Sequence, residues 1–168
     1  MKDAMYWIKV LGLKMHPEGG YFKETYRSDE IISKNFLPQR FDGDRVFSTC
    51  IYYLLNQTDF SAFHEINQDE VWHFYDGSSL TIHIIDQNGT YSYAKLGRDI
   101  EKGESFQKVV KANSLFAAAV SDIKSYSLVG CTVAPGFDYK DFKMPVRSKL
   151  VDRYPQHKEI IEKFTKTK

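Results

Sequence analysis

The 168-residue sequence has few of the features that mark disulfide-rich, membrane-bound or nucleic-acid-binding proteins. Two cysteines, Cys50 and Cys131, are too few for a disulfide framework and fit a reducing compartment. With 23 Lys and Arg against 22 Asp and Glu, the net charge of +1 favours neither nucleic acid nor an anionic bilayer. Charged residues interrupt the apolar positions of segment 1–16, so we predict no signal peptide or membrane span there. We expect a cytoplasmic protein.

Aromatic residues, in contrast, are abundant. They make up 15% of the chain, as 11 Tyr, 12 Phe and 2 Trp. Such residues favour strands and pocket walls, which argues against an all-helical bundle. The length fits one domain, and we predict a single domain over residues 1–168.

Apolar and polar residues alternate in short runs between Val46 and Ala134, with turn-forming residues between the runs. Strands at this spacing, with no helical pattern between them, predict an antiparallel sandwich or barrel, with a β core over about residues 20–142. Residues 4–12 predict a short opening helix that ends at Gly12, and residues 145–165 predict one or two helices interrupted at Pro155.

Polar chemistry is densest in residues 60–85, which contain three of the five histidines. His64 precedes a short loop and Glu70 follows it, so two neighbouring antiparallel strands could direct both side chains into one interior. If Glu70 points inward, Trp72 lies on the same face and His73 on the opposite one.

His64, Glu70 and Gly77 resemble the first His, the Glu and the last Gly of the first cupin motif, G-x5-H-x-H-x3,4-E-x6-G, with Ile66 at the second His position. Residues 103–120 resemble the second cupin motif, with Phe116 in place of its His. Three further segments and the one around His64 resemble the subgroup known as cupin superfamily family 5: HPEGGYFKETYR (16–27), STCIYYLL (48–55), CTVAPGFDYKDF (131–142) and FHEINQDEVWHFYDG (63–77).

The resemblance implies a mainly β fold, a cupin-type double-stranded β-helix or jelly-roll barrel with short N-terminal and C-terminal helices. It also implies a small-molecule ligand in the barrel mouth and a homodimer. In the epimerase relatives a His acts as base and a Tyr as acid. His64 fits the base position, whereas Val129 stands where the Tyr is expected, and the sequence does not select among Tyr126, Tyr52 and Tyr26 as substitutes.

The same resemblance bears on metal binding, because a cupin metal is held by three imidazoles and one carboxylate. Ile66 and Phe116 have no lone pair to donate. We therefore predict neither metal nor cofactor; if a metal binds, His64 and Glu70 would hold it.

We predict that His64 is a catalytic base oriented by Glu70, and that Trp72 forms a ring wall for the ligand. Arg27 and Glu24 are charged residues in an aromatic strand, where an Arg suits a carboxylate or phosphate. Further ligand-binding candidates are Thr49, Tyr26 and Phe116. We interpret His16 and the glycines after it as structural.

The leading interpretation is a cupin that binds a small polar metabolite, sugar-like or keto, and acts as a metal-independent isomerase or epimerase. One alternative is a non-catalytic binding or sensing cupin. A second is a metal-dependent cupin enzyme. The sequence leaves open whether the protein is an enzyme at all.

Overall fold

The computed structural model describes residues 2–57 and 59–166. In these residues the chain forms three α-helices and thirteen β-strands. The helices are α1 (Ala4–Leu11), α2 (Arg147–Arg153) and α3 (Lys158–Lys163). The strands are β1 (Lys14–Met15), β2 (Tyr21–Arg27), β3 (Ile31–Ile32), β4 (Arg45–Val46), β5 (Thr49–Asn56), β6 (Phe60–His64), β7 (Asp69–Gly77), β8 (Leu80–Ile85), β9 (Tyr91–Leu96), β10 (Glu104–Ser105), β11 (Gln107–Val110), β12 (Leu115–Val120) and β13 (Tyr126–Ala134).

Two large sheets pack as a jelly-roll-like sandwich. One sheet has the strand order β1-β2-β5-β13-β7-β11 and the other the order β10-β9-β8-β12-β6. The chain crosses between the sheets, since β13 lies between β5 and β7, and β12 lies between β8 and β6. The predicted mainly β fold is thereby confirmed.

The main core fills the space between the sheets. Because side chains alternate along a strand, β8 sends Leu80, Ile82 and Ile84 into this core and turns Ile85 to the other side. From the six-stranded sheet, Val129 and Trp72 enter the same core. Burial of this apolar surface is the main force that holds the sheets together.

Helices cover the outer faces of both sheets. Ala4 of α1 is buried against Leu54 and Leu128 of the six-stranded sheet. On the outer face of the five-stranded sheet, α2 and α3 bury a second apolar cluster, which contains Leu150 and Ile161. None of the helices in the described ranges is both long and apolar enough to cross a lipid bilayer.

The predicted helix boundaries match the structure closely. Gly12 caps α1 with φ of 64°, a left-handed conformation that glycine adopts without strain. The C-terminal pair is interrupted at Pro155, which begins a single 3-10 turn between α2 and α3. Both terminal helical regions are confirmed.

Candidate functional site

A cavity of about 280 Å³ opens at one end of the sandwich. Its main wall is the inner face of the six-stranded sheet, formed by β2, β5, β7 and β13. Two loops close it, the turn over residues 16–20 and a segment over residues 137–142, which we name the roof. The strands direct both aromatic rings and polar side chains into the cavity, a combination that is common in small-molecule sites.

His64, at the end of β6, is 3% exposed and lines the cavity. Its Nδ1 lies 2.8 Å from the carbonyl oxygen of Ala62. A carbonyl oxygen only accepts hydrogen bonds, so Nδ1 carries a hydrogen and the lone pair of a neutral imidazole is on Nε2. The ring of Phe116 packs against the imidazole, with centroids 4.1 Å apart.

The carboxylate next to Nε2 is that of Glu18. Its Oε2 lies 3.2 Å from His64 Nε2, and its Oε1 accepts a hydrogen bond of 2.9 Å from the Ser61 hydroxyl. We predicted that Glu70 would orient His64. In the described part of the chain the two imidazole nitrogens of His64 instead contact Glu18 and the Ala62 carbonyl, and the orienting role of Glu70 stays a prediction.

The Gly19-Gly20 turn fixes the position of Glu18. Gly19 and Gly20 have φ of 125° and 69°, and a Cβ atom on either would clash with the backbone oxygen of Phe60 or Leu54. The Tyr53 hydroxyl donates a 2.8 Å hydrogen bond to the carbonyl of Gly19. Only glycine fits these two positions, so the turn delivers the adjacent carboxylate into the cavity.

Sequence reasoning missed Glu18 because the turn was interpreted as structural. The available signal was an acidic residue between Pro17 and two glycines, directly before an aromatic strand. His16 of the same turn also lines the cavity. Its Nδ1 accepts a 3.4 Å hydrogen bond from the Glu18 backbone N–H, and burial lowers the pKa of its imidazole.

Glu70 lies on β7 and faces the cavity, 8% exposed. Burial, followed by the negative charge of Glu18, raises the pKa of its carboxyl to about 8. At neutral pH this carboxyl is therefore mostly protonated and is a hydrogen-bond donor. His64 and Glu70 line one cavity, as the spacing indicated; their catalytic roles stay a prediction.

Trp72 follows two residues after Glu70 on the same face of β7. Its indole packs edge to face against Tyr53, with ring centroids 5.9 Å apart. The indole N–H is buried and has no hydrogen-bond partner among the described residues, although its nearness to Glu70 lowers the pKa of that carboxyl. A buried donor without a partner is uncommon in folded proteins and marks a place for a ligand acceptor.

A β-bulge in β2 decides which of its side chains reach the cavity. Glu24 pairs with Ile51 and Arg27 with Thr49, whereas the register shifts between Glu24 and Tyr26. Glu24 and Arg27 therefore share the inner face, and Tyr26 is turned outward, 52% exposed. Tyr26, predicted as a ligand-binding residue, is therefore not among the residues that line the cavity.

Two further predicted ligand-binding residues have structural contacts. Thr49 lines the cavity, and its Oγ1 accepts a 3.0 Å hydrogen bond from the backbone N–H of Phe137 in the roof. Phe116 is 1% exposed and lies behind His64 rather than in the cavity wall. Its position opposite His64 in the β6–β12 pair accounts for this difference.

A buried ion pair holds the roof in place. Arg45 Nε donates a 2.7 Å hydrogen bond to Asp141 Oδ2, and Asp141 is 1% exposed. The Gln68 amide donates to the same oxygen at 2.7 Å. These bonds fix the segment that carries Phe137 and Phe142 over the cavity.

The residues present do not fit a cupin-type metal site. Ile66 lines the cavity and Phe116 lies behind His64, and neither side chain has a donor atom. His73 points away from the cavity and shares a 3.0 Å hydrogen bond with Thr132. Within the described residues, no three His, Cys, Asp or Glu side chains are grouped as a metal site.

Solved structures and a curated protein resemble this chain over most of its length. Protein SO0799 from Shewanella oneidensis is 37% identical with a TM-score of 0.89, and 100% of each chain is covered. A hypothetical protein from Leishmania major is 32% identical with a TM-score of 0.90, covering 99% of this chain and 100% of that one. The uncharacterized protein YML079W of Saccharomyces cerevisiae is 30% identical over 135 residues, 75% of this chain and 67% of the yeast protein.

A more distant likeness concerns the fold alone. The E162A mutant of Bacillus subtilis oxalate decarboxylase OxdC is 12% identical with a TM-score of 0.55, covering 93% of this chain and 38% of that one. The family model described as Cupin superfamily (DUF985) matches residues 5–145. With that match and the relatives above, the chain belongs to the DUF985 family of the cupin superfamily.

Proposed function

We propose that the cavity binds a small polar metabolite, sugar-like or keto, and isomerises it by metal-independent proton transfer. The observation that supports this proposal is the pair of buried carboxyl groups in one cavity with different surroundings. Glu18 lies against an imidazole and a hydroxyl, whereas Glu70 is kept protonated by burial. Two neighbouring carboxyl groups in such different surroundings are typical of sites for acid–base catalysis.

His64 is the base in this proposal. Its Nε2 takes a proton from the carbon next to the substrate carbonyl, and the electrons of that C–H bond form the C=C bond of an enol. The imidazolium that results is stabilised by the Glu18 carboxylate at 3.2 Å. The hydrogen bond from Nδ1 to Ala62 keeps the ring oriented while the proton moves.

Glu70 is the acid. Its carboxyl proton passes to the carbonyl oxygen as the enol forms, and the Trp72 N–H is the second donor available to that oxygen. His64 then gives its proton to the former carbonyl carbon, and the hydroxyl group on the neighbouring carbon gives its proton to Glu70 as it becomes the new carbonyl, which completes the isomerisation. No proton is gained or lost, and no co-reactant is needed. Donors fixed before the reaction stabilise the developing oxyanion without reorganisation.

Isotope exchange tests this proposal. Aldoses and ketoses are incubated with the protein in deuterium oxide, and deuterium at the carbon next to the carbonyl is measured by mass spectrometry. We expect exchange with the unmodified protein and a loss of about 10²-fold or more in His64→Ala. Glu65→Gln, a change beside His64 at a residue that does not line the cavity, is the matched control.

The outcome separates catalysis from binding alone. Exchange that is as fast in His64→Ala as in the unmodified protein contradicts the base assignment. Sugars that raise the melting temperature without any exchange favour the non-catalytic binding or sensing cupin.

We further propose a cytoplasmic location, since the two free cysteines fit a reducing compartment. We also propose a homodimer, because the edge strands β1 and β11 of the six-stranded sheet need cover. Sedimentation at micromolar concentration should give about twice the chain mass of 19.5 kDa. A mass of one chain contradicts the dimer.

A further inference from the structure

The cavity contains more acidic than basic side chains. Glu70 is mostly protonated at neutral pH, which leaves the carboxylates of Glu18, Glu24 and Asp138 against Arg27 as the one Lys or Arg among the described lining residues. Low-dielectric walls strengthen the field of such an excess of charge inside a cleft.

Arg27 is already neutralised. Its Nε donates a 3.0 Å hydrogen bond to Glu24 Oε1 and its Nη2 a 2.8 Å bond to Glu24 Oε2. Nη2 also lies 3.3 Å from the carbonyl oxygen of Phe137. The predicted use of Arg27 as an anion site therefore competes with a paired carboxylate in its own strand.

Aromatic rings surround the mouth of the cavity beside Asp138. Phe137 and Tyr139 pack edge to face, with centroids 5.1 Å apart, and both line the cavity. Burial raises the pKa of the Tyr139 hydroxyl, and the charges of Glu18 and Glu24 raise it further. The negative potential thus extends to the mouth of the cavity. There the aromatic rings of Phe137 and Tyr139 and the Asp138 carboxylate together favour a cation.

Positive charges near the cavity are directed elsewhere. The Lys166 amine donates a 2.7 Å hydrogen bond to the carbonyl of Pro17. The His16 imidazole has its pKa lowered by burial, so it is mostly neutral at pH 7. Inside the cavity, the Trp72 N–H has no hydrogen-bond partner among the described residues. Independently of charge, a ligand that fits the cavity should therefore offer an oxygen that accepts this hydrogen bond.

We infer that the ligand is a small amino compound, such as an amino sugar, with its ammonium group at the mouth beside Asp138 and an oxygen near Trp72. This inference rests on the proposed function only in that the same cavity is the binding site. It holds whether or not the bound compound is converted.

Three hexoses of similar size and different charge test the inference. D-glucosamine, D-glucose and D-glucuronate are titrated by calorimetry at pH 7 and low salt. We expect glucosamine to bind about tenfold more tightly than glucose, and glucuronate to bind most weakly, because one unscreened charge contributes about this much. Glucuronate that binds as tightly as glucosamine overturns the amine assignment and leaves the binding site intact.

Asp138→Asn locates the ammonium group. The Asp138 side chain also caps the turn at Lys140, a hydrogen bond that Asn can form, so the roof should keep its structure. We expect this variant to lose most of the preference for glucosamine over glucose. Glu101→Gln removes the same charge from an exposed site outside the cavity and should keep the preference.

Two further results are decisive. An unchanged preference in Asp138→Asn contradicts the placement of the ammonium group. If none of the three hexoses binds at millimolar concentration, the sugar-like ligand of the proposed function fails together with this inference, a result distinct from wrong charge selectivity.

Discussion

The two sheets contribute different chemistry to the same interior. The five-stranded sheet sends inward Leu80, Ile82 and Ala118, each fully buried and apolar. The six-stranded sheet uses the same alternation, yet at the cavity its inward positions include Glu70 and Thr49. Strand geometry therefore selects which positions face inward, and the residue types at those positions decide whether the space is packed or left open as a site.

The difference has an energetic side. Burial of Ile82 stabilises the fold, whereas burial of Glu70 in its charged form would destabilise it. The protein accommodates Glu70 by keeping it protonated. The five-stranded sheet is thus the stabilising half of the sandwich, and the cavity wall is the half in which stability depends on pH.

Glu70→Gln should change the pH dependence of stability most. The raised pKa of Glu70 means that the folded state binds a proton that the unfolded state releases above its usual pKa of 4.5. The unmodified protein should therefore lose stability as pH rises from 4.5 to 8, by about 4–5 kcal/mol. Urea unfolding of Glu70→Gln across this range should show a free energy of unfolding that lacks this slope against pH. An unchanged slope contradicts the buried, protonated carboxyl.

Arg45→Ala tests the buried charges that hold the roof. Loss of Arg45 leaves Asp141 buried without its partner, which should lower the free energy of unfolding by about 3–5 kcal/mol. Arg27→Ala removes an arginine from an exposed ion pair and should cost no more than about 1 kcal/mol. Urea unfolding of both variants compares them, and equal losses would show that burial of the pair is unimportant.

Ile82→Ala and Ile66→Ala compare the packed interior with the cavity wall. Ile82 is fully enclosed, so its truncation should lower the free energy of unfolding by about 2–5 kcal/mol. Ile66 adjoins an existing cavity, where removed atoms lose fewer contacts, and its truncation should cost about half as much. Chemical denaturation of both variants in parallel measures the two losses. A larger loss of unfolding free energy in Ile66→Ala than in Ile82→Ala would contradict the comparison.

His83→Gln should give a smaller effect of opposite sign on the outer face of the five-stranded sheet. Burial, followed by the charge of Lys163, lowers the pKa of His83 to about 4, and its ring stacks on Phe164 with centroids 4.6 Å apart. The unfolded state therefore binds the proton first, and stability should fall as pH drops from 6.5 to 4, by about 1–2 kcal/mol for this partly exposed ring. Thermal unfolding between pH 6.5 and pH 4 should show that His83→Gln loses less stability than the unmodified protein.

Alternation in the sequence was sufficient to predict much of the cavity wall. Thr49, Ile51 and Tyr53 on β5 line the cavity, and so do Glu70 and Trp72 on β7. These strands keep a period of two in the segments that face the cavity. The terminal helices were predictable as well, since Gly12 and Pro155 mark their boundaries locally.

Contacts that depend on packing between distant segments could not be predicted. Glu18 reaches His64 because a glycine turn lies against the backbone of Phe60, and no local pattern encodes that approach. The position of Phe116 behind the imidazole depends on a cross-strand register. Spacing therefore indicated that His64 and Glu70 line one cavity, but it gave no sign that Glu18 lies beside His64.

The extra residue in β2 has a consequence for how the wall could be altered. Deletion of Thr25 would remove the bulge and leave both faces as they are, because Tyr26 would then follow Glu24 directly and stay outward, with Arg27 inward opposite Thr49. If Thr25 were instead paired in a regular ladder, Tyr26 would turn inward and Arg27 outward, so that a phenol would replace a guanidinium at the mouth and Glu24 would lose its cation. In this protein one unpaired position in a strand, independently of composition, sets the polarity that an incoming molecule meets.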